Sequence, residues 1–255
     1  RKRYGNIAKG HEQSCCGEGA SCAGKSDTRT SACRSEVLGY SASELDNLPH
    51  GADLGLGCGN PQAIAALKPG ETVLDLGSGA GIDCFLAARQ VGTAGHVIGV
   101  DMTHEMLEKA RENARKGGFK NTEFRLGEIE HLPVADGIAD VIISNCVINL
   151  SPDKSKVWSE MFRALKSGGR VAISDIVATA ELPENVRRDL SLHAGCVAGA
   201  SLIKDVKKML KEAGFEDIRI TPKGNGKDFI RKWISGSRVE NYIVSANIEA
   251  RKPVK

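Results

Sequence analysis

The stretch that decides the fold is VLDLGSGAGID at residues 73–83. A short apolar run, three glycines and a following amphipathic segment are typical of a β-strand, a tight loop and a helix. Glycine is needed where a side chain would keep the backbone from closing around a ligand. In open α/β sheets that position is the carboxyl edge of the strands. The stretch therefore predicts a nucleotide-type ligand at this edge.

The spacing of Gly77, Gly79 and Gly81 is G-x-G-x-G. A dinucleotide fingerprint would be G-x-G-x-x-G, with its last glycine where this chain has Ile82. Asp83 adds a negative charge close to the loop. This combination favours a cofactor that carries an ammonium group over one that carries a diphosphate.

Outward from this loop, short β-branched runs alternate with amphipathic segments, which predicts a doubly wound, mostly parallel α/β sheet. The predicted strands are seven in number, and the last two form an antiparallel hairpin: 73–76, 96–101, 123–126, 140–145, 170–176, 216–221 and 239–248. The spacing of apolar residues predicts one helix over 38–48, another after Thr103 as its N-cap, and another after Ser151 that ends at Gly168 and Gly169.

The formal net charge is +3, from 35 basic and 32 acidic residues, so no basic patch indicates a nucleic-acid partner. No apolar run approaches the ~20 residues that a membrane-spanning helix needs, and the first residues carry no signal-peptide core. We therefore expect a cytoplasmic protein without a membrane or nucleic-acid partner. Nothing indicates an obligate partner, and we expect a monomer.

The chain has eight cysteines, well below the density of a small disulfide scaffold. Three of them, Cys58, Cys146 and Cys196, lie far apart in sequence where the predicted fold can bring them together. Convergent thiolates beside a bound cofactor favour chemistry on a soft element, because such elements prefer sulfur ligands. Each cysteine taken alone has the simpler interpretation of a small buried apolar residue, and we assign that role to Cys84.

Asp101 ends the second predicted strand, where its carboxylate can accept hydrogen bonds from both ribose hydroxyls of a cofactor. With the segments DM at 101–102, GEIEHLP at 127–133 and LKSGGR at 165–170, the chain resembles class I S-adenosylmethionine-dependent methyltransferases over about residues 60–250. The remaining alternative is a Rossmann-like domain that binds another nucleotide or none.

That resemblance implies that Gly77 and Gly79 hold the methionyl part of S-adenosylmethionine, and that Asp101 holds the ribose. Met102 and Ile129 would contact the adenine, although ordinary core packing explains either residue equally well. Further cofactor-binding candidates lie nearby: Asp75, Glu130 and Asn145.

The contexts of the three cysteines, LGCGNP at 56–61, IISNCVINLSPD at 142–153 and LHAGCVAGA at 192–200, resemble arsenite methyltransferases. The Cys15-Cys16 pair before Gly17, followed by Cys22, resembles microbial members of that family. The resemblance implies that Cys58, Cys146 and Cys196 hold trivalent arsenic while its lone pair attacks the cofactor's methyl group. It also implies arsenic detoxification, and a helical lid over about 178–203 that carries Cys196. The domain organisation would be an N-terminal cysteine-rich segment with the arsenic-site loop, 1–60, and the methyltransferase domain, 61–255.

Methylation formally oxidises arsenic, and the family returns it to the trivalent state with electrons from cysteines that form a disulfide. Thioredoxin or glutathione would then reduce that disulfide as an external thiol. The family uses a fourth, N-terminal cysteine in this step, and we take Cys33 as the working candidate. The sequence does not choose among Cys15, Cys16, Cys22 and Cys33.

Several alternatives stay open. The same core supports methyl transfer to carbon or oxygen of a small organic molecule, and a thiol-based metalloid sensor could retain the fold as a scaffold. The N-terminal cysteines could capture arsenic, bind zinc or belong to a disordered tail, although their spacing lacks the paired C-x₂₋₄-C of zinc modules. His193 is given a structural role, because the attacking lone pair carries no proton to remove.

Overall fold

The computed structural model describes residues 1–11, 35–182, 184–187, 197–224 and 242–254. Seven strands form one sheet in the order β3-β2-β1-β4-β5-β7-β6. The strands are β1 (Thr72–Leu76), β2 (His96–Asp101), β3 (Thr122–Leu126), β4 (Ala139–Asn145), β5 (Leu165–Ala178), β6 (Glu216–Pro222) and β7 (Ile243–Arg251). The helices are α1 (Lys2–Ala8), α2 (Ala42–Asp46), α3 (Gln62–Ala65), α4 (Ile82–Val91), α5 (His104–Gly117), α6 (Lys154–Ala164), α7 (Glu184–Arg187) and α8 (Ile203–Ala213), with short 3-10 helices at Ser35–Leu38 and Ile148–Leu150.

Strands β1 to β5 pair in parallel, and β7 lies between β5 and β6 and pairs with both in the antiparallel sense. The predicted fold class, including the antiparallel C-terminal pair, is confirmed. Strand β1 lies between β2 and β4. After β1, the chain therefore adds β2 and β3 on one side of it and then β4 and β5 on the other side. This reversal opens a crevice at the carboxyl edge of β1, where ligands bind in such sheets.

Alternation along the strands divides the apolar core between the two faces of the sheet. On one face, Leu74 and Leu76 of β1 pack with Trp158 of α6 and with α8. On the other face, Val73 packs with Phe85 of α4 and with α5. Within the described residues, no helix is both long and apolar enough to cross a membrane.

Two of the predicted helices have other bounds in the structure, whereas the predicted N-cap of α5 is confirmed. The helix expected over 38–48 is interrupted at Gly39, whose φ of +98° is left-handed, and α2 starts afresh with a capping box between Ser41 and Glu44. Helix α6 ends at Ala164, before Gly168 and Gly169, because Leu165 is already extended and pairs with β4. Thr103 is the N-cap of α5, but its side chain makes no capping hydrogen bond.

The last strand ends at Arg251, three residues beyond the predicted end, where it pairs with Arg170 of β5. Its predicted first residues, 239–241, lie outside the described residues. At the other end of the chain, α1 packs on α5 through Ile7, Ala8 and Met106, and Lys9 donates a 2.9 Å hydrogen bond to Glu105.

Arg170 lies in β5, toward the edge of the sheet opposite the crevice, and its side chain links three segments there. Its guanidinium donates to both carboxylate oxygens of Glu71 at 2.8 and 3.0 Å, and to the carbonyl oxygens of Ala65 and Ala66 at 2.7 Å each. A planar guanidinium can make all four contacts at once, whereas an ammonium group cannot reproduce this geometry. Arg170 therefore ties the end of α3 and the start of β1 to β5.

We expect Arg170→Lys to lower the free energy of unfolding by ~1–3 kcal/mol, because it leaves hydrogen-bonding groups of a partly buried ion pair unsatisfied. Urea unfolding followed by circular dichroism measures this change. Arg219→Lys is the matched control, because Arg219 is an exposed residue of β6, and its cost should stay within about 0.5 kcal/mol. Equal costs for both variants would contradict this role for Arg170.

Candidate functional site

A cavity of about 500 Å³ lies at the carboxyl ends of β1, β2 and β4. All the predicted cofactor-binding residues line it, together with Cys146: Asp75, Gly77, Gly79, Asp101, Met102, Ile129, Glu130 and Asn145. Their roles stay predictions. Their positions around one cavity would allow all of them to contact the same ligand. Ser151, which also lines the cavity, donates a hydrogen bond to Glu130.

The glycine loop follows β1 and forms the floor of the cavity. Gly77 has a φ of +70°, its amide donates to the Val100 carbonyl at 2.8 Å, and a Cβ there would collide with the side chain of Val147. Gly79 also has a left-handed φ, of +51°, and no atom lies within 4 Å of its Cβ position. The loop thus combines a turn that only glycine accepts easily with an open backbone that a ligand can approach.

Asp101 lies at the tip of β2 and fixes the loop from the side. One carboxylate oxygen accepts from the Gly79 amide at 2.9 Å, and the other accepts from the Thr103 amide at 2.8 Å. Burial raises the pKa of Asp101. A carboxylate has about four acceptor positions, so the side chain retains capacity for hydroxyl donors of a ligand in the cavity.

Two more acidic side chains line the cavity in fully buried positions. Burial, with the nearby charge of Asp83, raises the pKa of Asp75 well above its usual range, and burial raises the pKa of Asp83 to about 6. The Cys84 thiol donates to Asp75 at 3.2 Å. A positively charged ligand would favour the ionised form of both carboxyl groups, so the cavity suits a cation.

The structure brings Cys58 and Cys146 together, although 87 residues lie between them in the chain. Both side chains are buried. Their sulfur atoms and a carboxylate oxygen of Asp175 all lie within 4.8 Å of one another. Cys146 follows β4 with a φ of +59°, and its amide donates to the Ser174 carbonyl at 2.8 Å.

The other predicted thiols cannot be placed. Cys196 and the N-terminal cysteines, Cys15, Cys16, Cys22 and Cys33, lie outside the described residues, as does His193. Cys84 is fully buried against Asp75, and burial raises the pKa of its thiol well above the ordinary value, which agrees with a packing role.

Asn145 holds the loop that carries Cys58. Its side-chain oxygen accepts from the Cys58 amide at 3.0 Å, and its side-chain nitrogen donates to the Gly59 carbonyl at 2.7 Å and to the Tyr40 hydroxyl at 3.0 Å. A Cβ at Gly57 would lie 2.8 Å from that nitrogen, so only glycine lets the loop approach so closely. Sequence reasoning assigned Asn145 to the cofactor alone and missed this second contact.

Asp175 was also missed, although an acidic residue within an apolar strand is a usable signal. It accepts hydrogen bonds from the amides of Ile148 and Ile176 and from the side chain of Asn149, at 3.0, 2.7 and 2.9 Å. Burial outweighs these contacts and raises its pKa to about 7. The charge of Lys154 also lowers this value, and burial lowers the pKa of Lys154 itself.

Lys223 follows β6 and provides positive charge beside the cysteine pair. Its ammonium group donates to the Ser174 hydroxyl at 3.2 Å. Burial lowers the pKa of Lys223, while the charges of Cys58 and Cys146 act in the opposite direction. In general, a positive charge close to a cysteine favours the thiolate form. No sequence motif marks this lysine, because its position depends on the antiparallel strands at the end of the sheet.

The raised pKa of Asp175 predicts a pH dependence of stability. The folded state retains a proton that the unfolded state loses between about pH 4 and pH 7, so this group's contribution to stability falls as the pH rises through that window. Asp175→Asn does not titrate, and wild type should therefore lose on the order of 2–4 kcal/mol relative to this variant between pH 4.5 and pH 7.5.

Urea unfolding of both proteins at the two pH values measures the difference. Asp205→Asn, at an exposed position of α8, controls for the loss of one carboxylate. A gap between wild type and Asp175→Asn that does not change with pH would contradict the protonated, buried carboxyl group.

Comparison with known proteins agrees with the geometry. A family model described as a methyltransferase domain matches residues 67–214. An arsenite methyltransferase from Halobacterium salinarum is 56% identical over 259 residues, covering 100% of this chain and 66% of that protein. The arsenite methyltransferase of Homo sapiens is 42% identical over 153 residues, which is 56% of this chain and 40% of that protein.

Among solved structures, an arsenic (III) S-adenosylmethionine methyltransferase from Chlamydomonas reinhardtii matches with a TM-score of 0.65 and 35% identity, covering 86% of this chain and 73% of that chain. The chain spans slightly less than two thirds of the length of the Halobacterium relative, and two fifths of the length of the human one. The Halobacterium protein matches this chain over its whole length, and the Chlamydomonas structure shares its architecture at 35% identity. Together these two matches lead to one assignment. The chain belongs to the arsenite methyltransferase family, within the methyltransferase-domain proteins.

Proposed function

We propose that the protein transfers a methyl group from S-adenosylmethionine to trivalent arsenic held by cysteine thiolates. The observation that carries this proposal is the meeting of the Cys58 and Cys146 sulfur atoms beside Asp175, with Cys146 also lining the cavity. Two adjacent buried thiols, one of them at the wall of the cavity, have little use in methylation of carbon or oxygen. They suit a thiophilic substrate.

The cavity fits S-adenosylmethionine on three grounds. The open backbone at Gly79 admits the methionyl part, the remaining acceptor capacity of Asp101 suits ribose hydroxyls, and the buried Asp75 and Asp83 suit a cation. Bound there, the cofactor supplies an electrophilic methyl group on a sulfonium centre. The chain's part is to place that methyl group in line with the substrate.

Capture of arsenite is a ligand exchange that balances without a redox agent. Each thiol gives its proton to one hydroxyl group of arsenite, that group leaves as water, and an arsenic–sulfur bond forms. Cys58 and Cys146 provide two of the three bonds, and we assign the third to Cys196. Lys223 stabilises the two described thiolates through its charge, and Asn145 keeps Cys58 in place.

In the transfer step, the lone pair of arsenic forms a bond to the methyl carbon while the carbon–sulfur bond of the sulfonium breaks. The departing sulfur keeps that electron pair, and arsenic becomes formally pentavalent. A further thiolate then attacks the sulfur of one arsenic–sulfur bond. That bond breaks, a disulfide forms, and the electron pair of the broken bond stays on arsenic, which becomes trivalent again. We assign this step to Cys33 with one of the arsenic-binding cysteines, and the reset of the disulfide to an external thiol of the thioredoxin or glutathione type.

Several wider assignments belong to the same proposal. Thiols that must stay reduced between turnovers suit a reducing compartment such as the cytoplasm, and the activity would detoxify arsenic. We retain the division into an N-terminal cysteine-rich segment, 1–60, and a methyltransferase domain, 61–255, with a lid over about 178–203. We also retain the monomeric state, which size-exclusion chromatography with light scattering checks.

Labelled methyl transfer from S-adenosylmethionine to arsenite, with the arsenic species separated, tests the proposal. Cys58→Ser, Cys146→Ser and Cys196→Ser should each lower the rate by on the order of 100-fold or more, because each loses one arsenic bond and the alignment it provides. Cys84→Ser is the matched control, since it removes a buried thiol that contacts Asp75 but keeps a donor there.

Wild type that binds the cofactor but forms no methylated arsenic would overturn the proposal, and the acceptor would then be sought among small organic molecules. Tight arsenite binding without methyl transfer would instead identify a sensor. A loss of activity in Cys84→Ser equal to the loss in the other three variants would show that the cysteines act through packing.

A further inference from the structure

A line of hydrogen bonds joins the cofactor cavity to the arsenic-site loop. The Cys58 amide donates to the side-chain oxygen of Asn145 at 3.0 Å, the Asn145 nitrogen donates to the Tyr40 hydroxyl at 3.0 Å, and that hydroxyl donates to the Asp83 carboxylate at 2.9 Å. Asp83 and Asn145 line the cavity, whereas Tyr40 does not. Tyr40 is thus a bridge behind the cavity wall.

The direction of these hydrogen bonds is fixed by chemistry. The Cys58 amide can only donate, so Asn145 must present its oxygen to it and its nitrogen to Tyr40. Tyr40 receives that donor and must turn its own proton toward Asp83, whose carboxylate only accepts while it is ionised. All three bonds therefore run toward the carboxylate, an arrangement in which each bond polarises the next.

The hydrogen bonds of this line are buried, so each group in it depends on its protein partner. Tyr40 is 3% exposed and Asp83 is 4% exposed, so water cannot readily replace a lost partner. Burial and the nearby Asp83 raise the pKa of Tyr40 well above its ordinary value, which keeps the proton that Tyr40 donates. Gln62 donates to the backbone carbonyl of Asp83 at 2.9 Å and approaches its carboxylate at 3.4 Å. Tyr40, Gln62 and Asn145 all lower the pKa of that carboxyl group, and Tyr40 makes the shortest contact to it, at 2.9 Å.

We propose that Tyr40 is a positioning residue that couples occupation of the cofactor cavity to the placement of Cys58. A cationic ligand attracts the Asp83 carboxylate and restrains it. Because Tyr40 donates to Asp83 and accepts from Asn145, a restrained Asp83 also restrains these two side chains. The backbone of Cys58, which donates to Asn145, then becomes less mobile. The meaning of this coupling for arsenic capture rests on the proposed function, but the coupling itself requires only that the cavity binds S-adenosylmethionine.

The test follows the reactivity of Cys58 without arsenic. Reduced, full-length protein is alkylated with iodoacetamide, with and without saturating S-adenosylmethionine, and the rate is read on the Cys58 peptide by mass spectrometry. In wild type the cofactor should slow alkylation at least about fivefold, the lower end of usual coupling between sites. In Tyr40→Phe, which keeps the ring and loses the hydroxyl, the cofactor should change the rate less than about twofold.

Ser245→Ala is the matched control. The Ser245 hydroxyl donates to the Cys58 carbonyl at 2.6 Å, so this variant also loses a hydrogen bond to the loop, but from β7 and without a contact to Asp83. Its overall alkylation rate should rise, while the cofactor should still slow that rate at least about fivefold. A merely structural role for Tyr40 would make the two variants behave alike.

Several outcomes would overturn the inference. If the cofactor only shields Cys58 sterically, Tyr40→Phe will retain the wild-type slowing. If wild type binds the cofactor without slowing, no coupling exists. Should Tyr40→Phe fail to fold, Asn145→Ala breaks the same line at its other end, and retained slowing there contradicts the proposal equally. Coupling without methylated arsenic would preserve this inference and contradict the proposed substrate.

Discussion

The side-chain amide of Asn145 is the contact on which the rest of the site depends. It lies at the end of β4, beside the glycine loop after β1, where the reversal of strand order opens the cavity. From this position it holds the backbone of Cys58, a residue that belongs to no strand or helix. A loop held by a strand end is placed more accurately than a loop held by its own turns, and the proposed binding of one arsenic atom by several thiolates requires such accuracy.

Buried charge is the second feature of the site. Asp75, Asp83 and Asp101 surround the cavity in positions where burial opposes ionisation, and this cost is accepted where a cationic ligand can offset it. The two cysteines meet a different environment, which includes the charge of Lys223 and the carboxyl group of Asp175. One sheet edge thus combines negative charge that suits a cationic ligand with a buried lysine beside two buried cysteines.

The sequence was sufficient for the sheet, the glycine loop and the neighbourhood of the cavity, because each depends on local periodicity or on glycine at a left-handed position. It was insufficient for Tyr40, Asp175 and Lys223, whose contacts arise only when distant elements meet. Helix α6 also ended before Gly168, since pairing with β4 outweighed the glycine stop signal. The cysteine pair was anticipated because Cys146 comes at the end of a predicted strand and Cys58 lies in a Gly-rich loop that could reach the same edge. The carboxylate of Asp175 was not anticipated, because its residue looked like part of an ordinary buried strand.

The central claim is that Cys58 and Cys146, joined by Cys196, bind arsenic directly beside the cofactor cavity. X-ray absorption at the arsenic K-edge, on reduced protein loaded with one equivalent of arsenite, counts the sulfur ligands. The account predicts three sulfur ligands and no oxygen in wild type, and one sulfur fewer, with oxygen in its place, in Cys58→Ser and in Cys146→Ser. An unchanged sulfur shell in either variant would place the arsenic at other cysteines and would contradict the account.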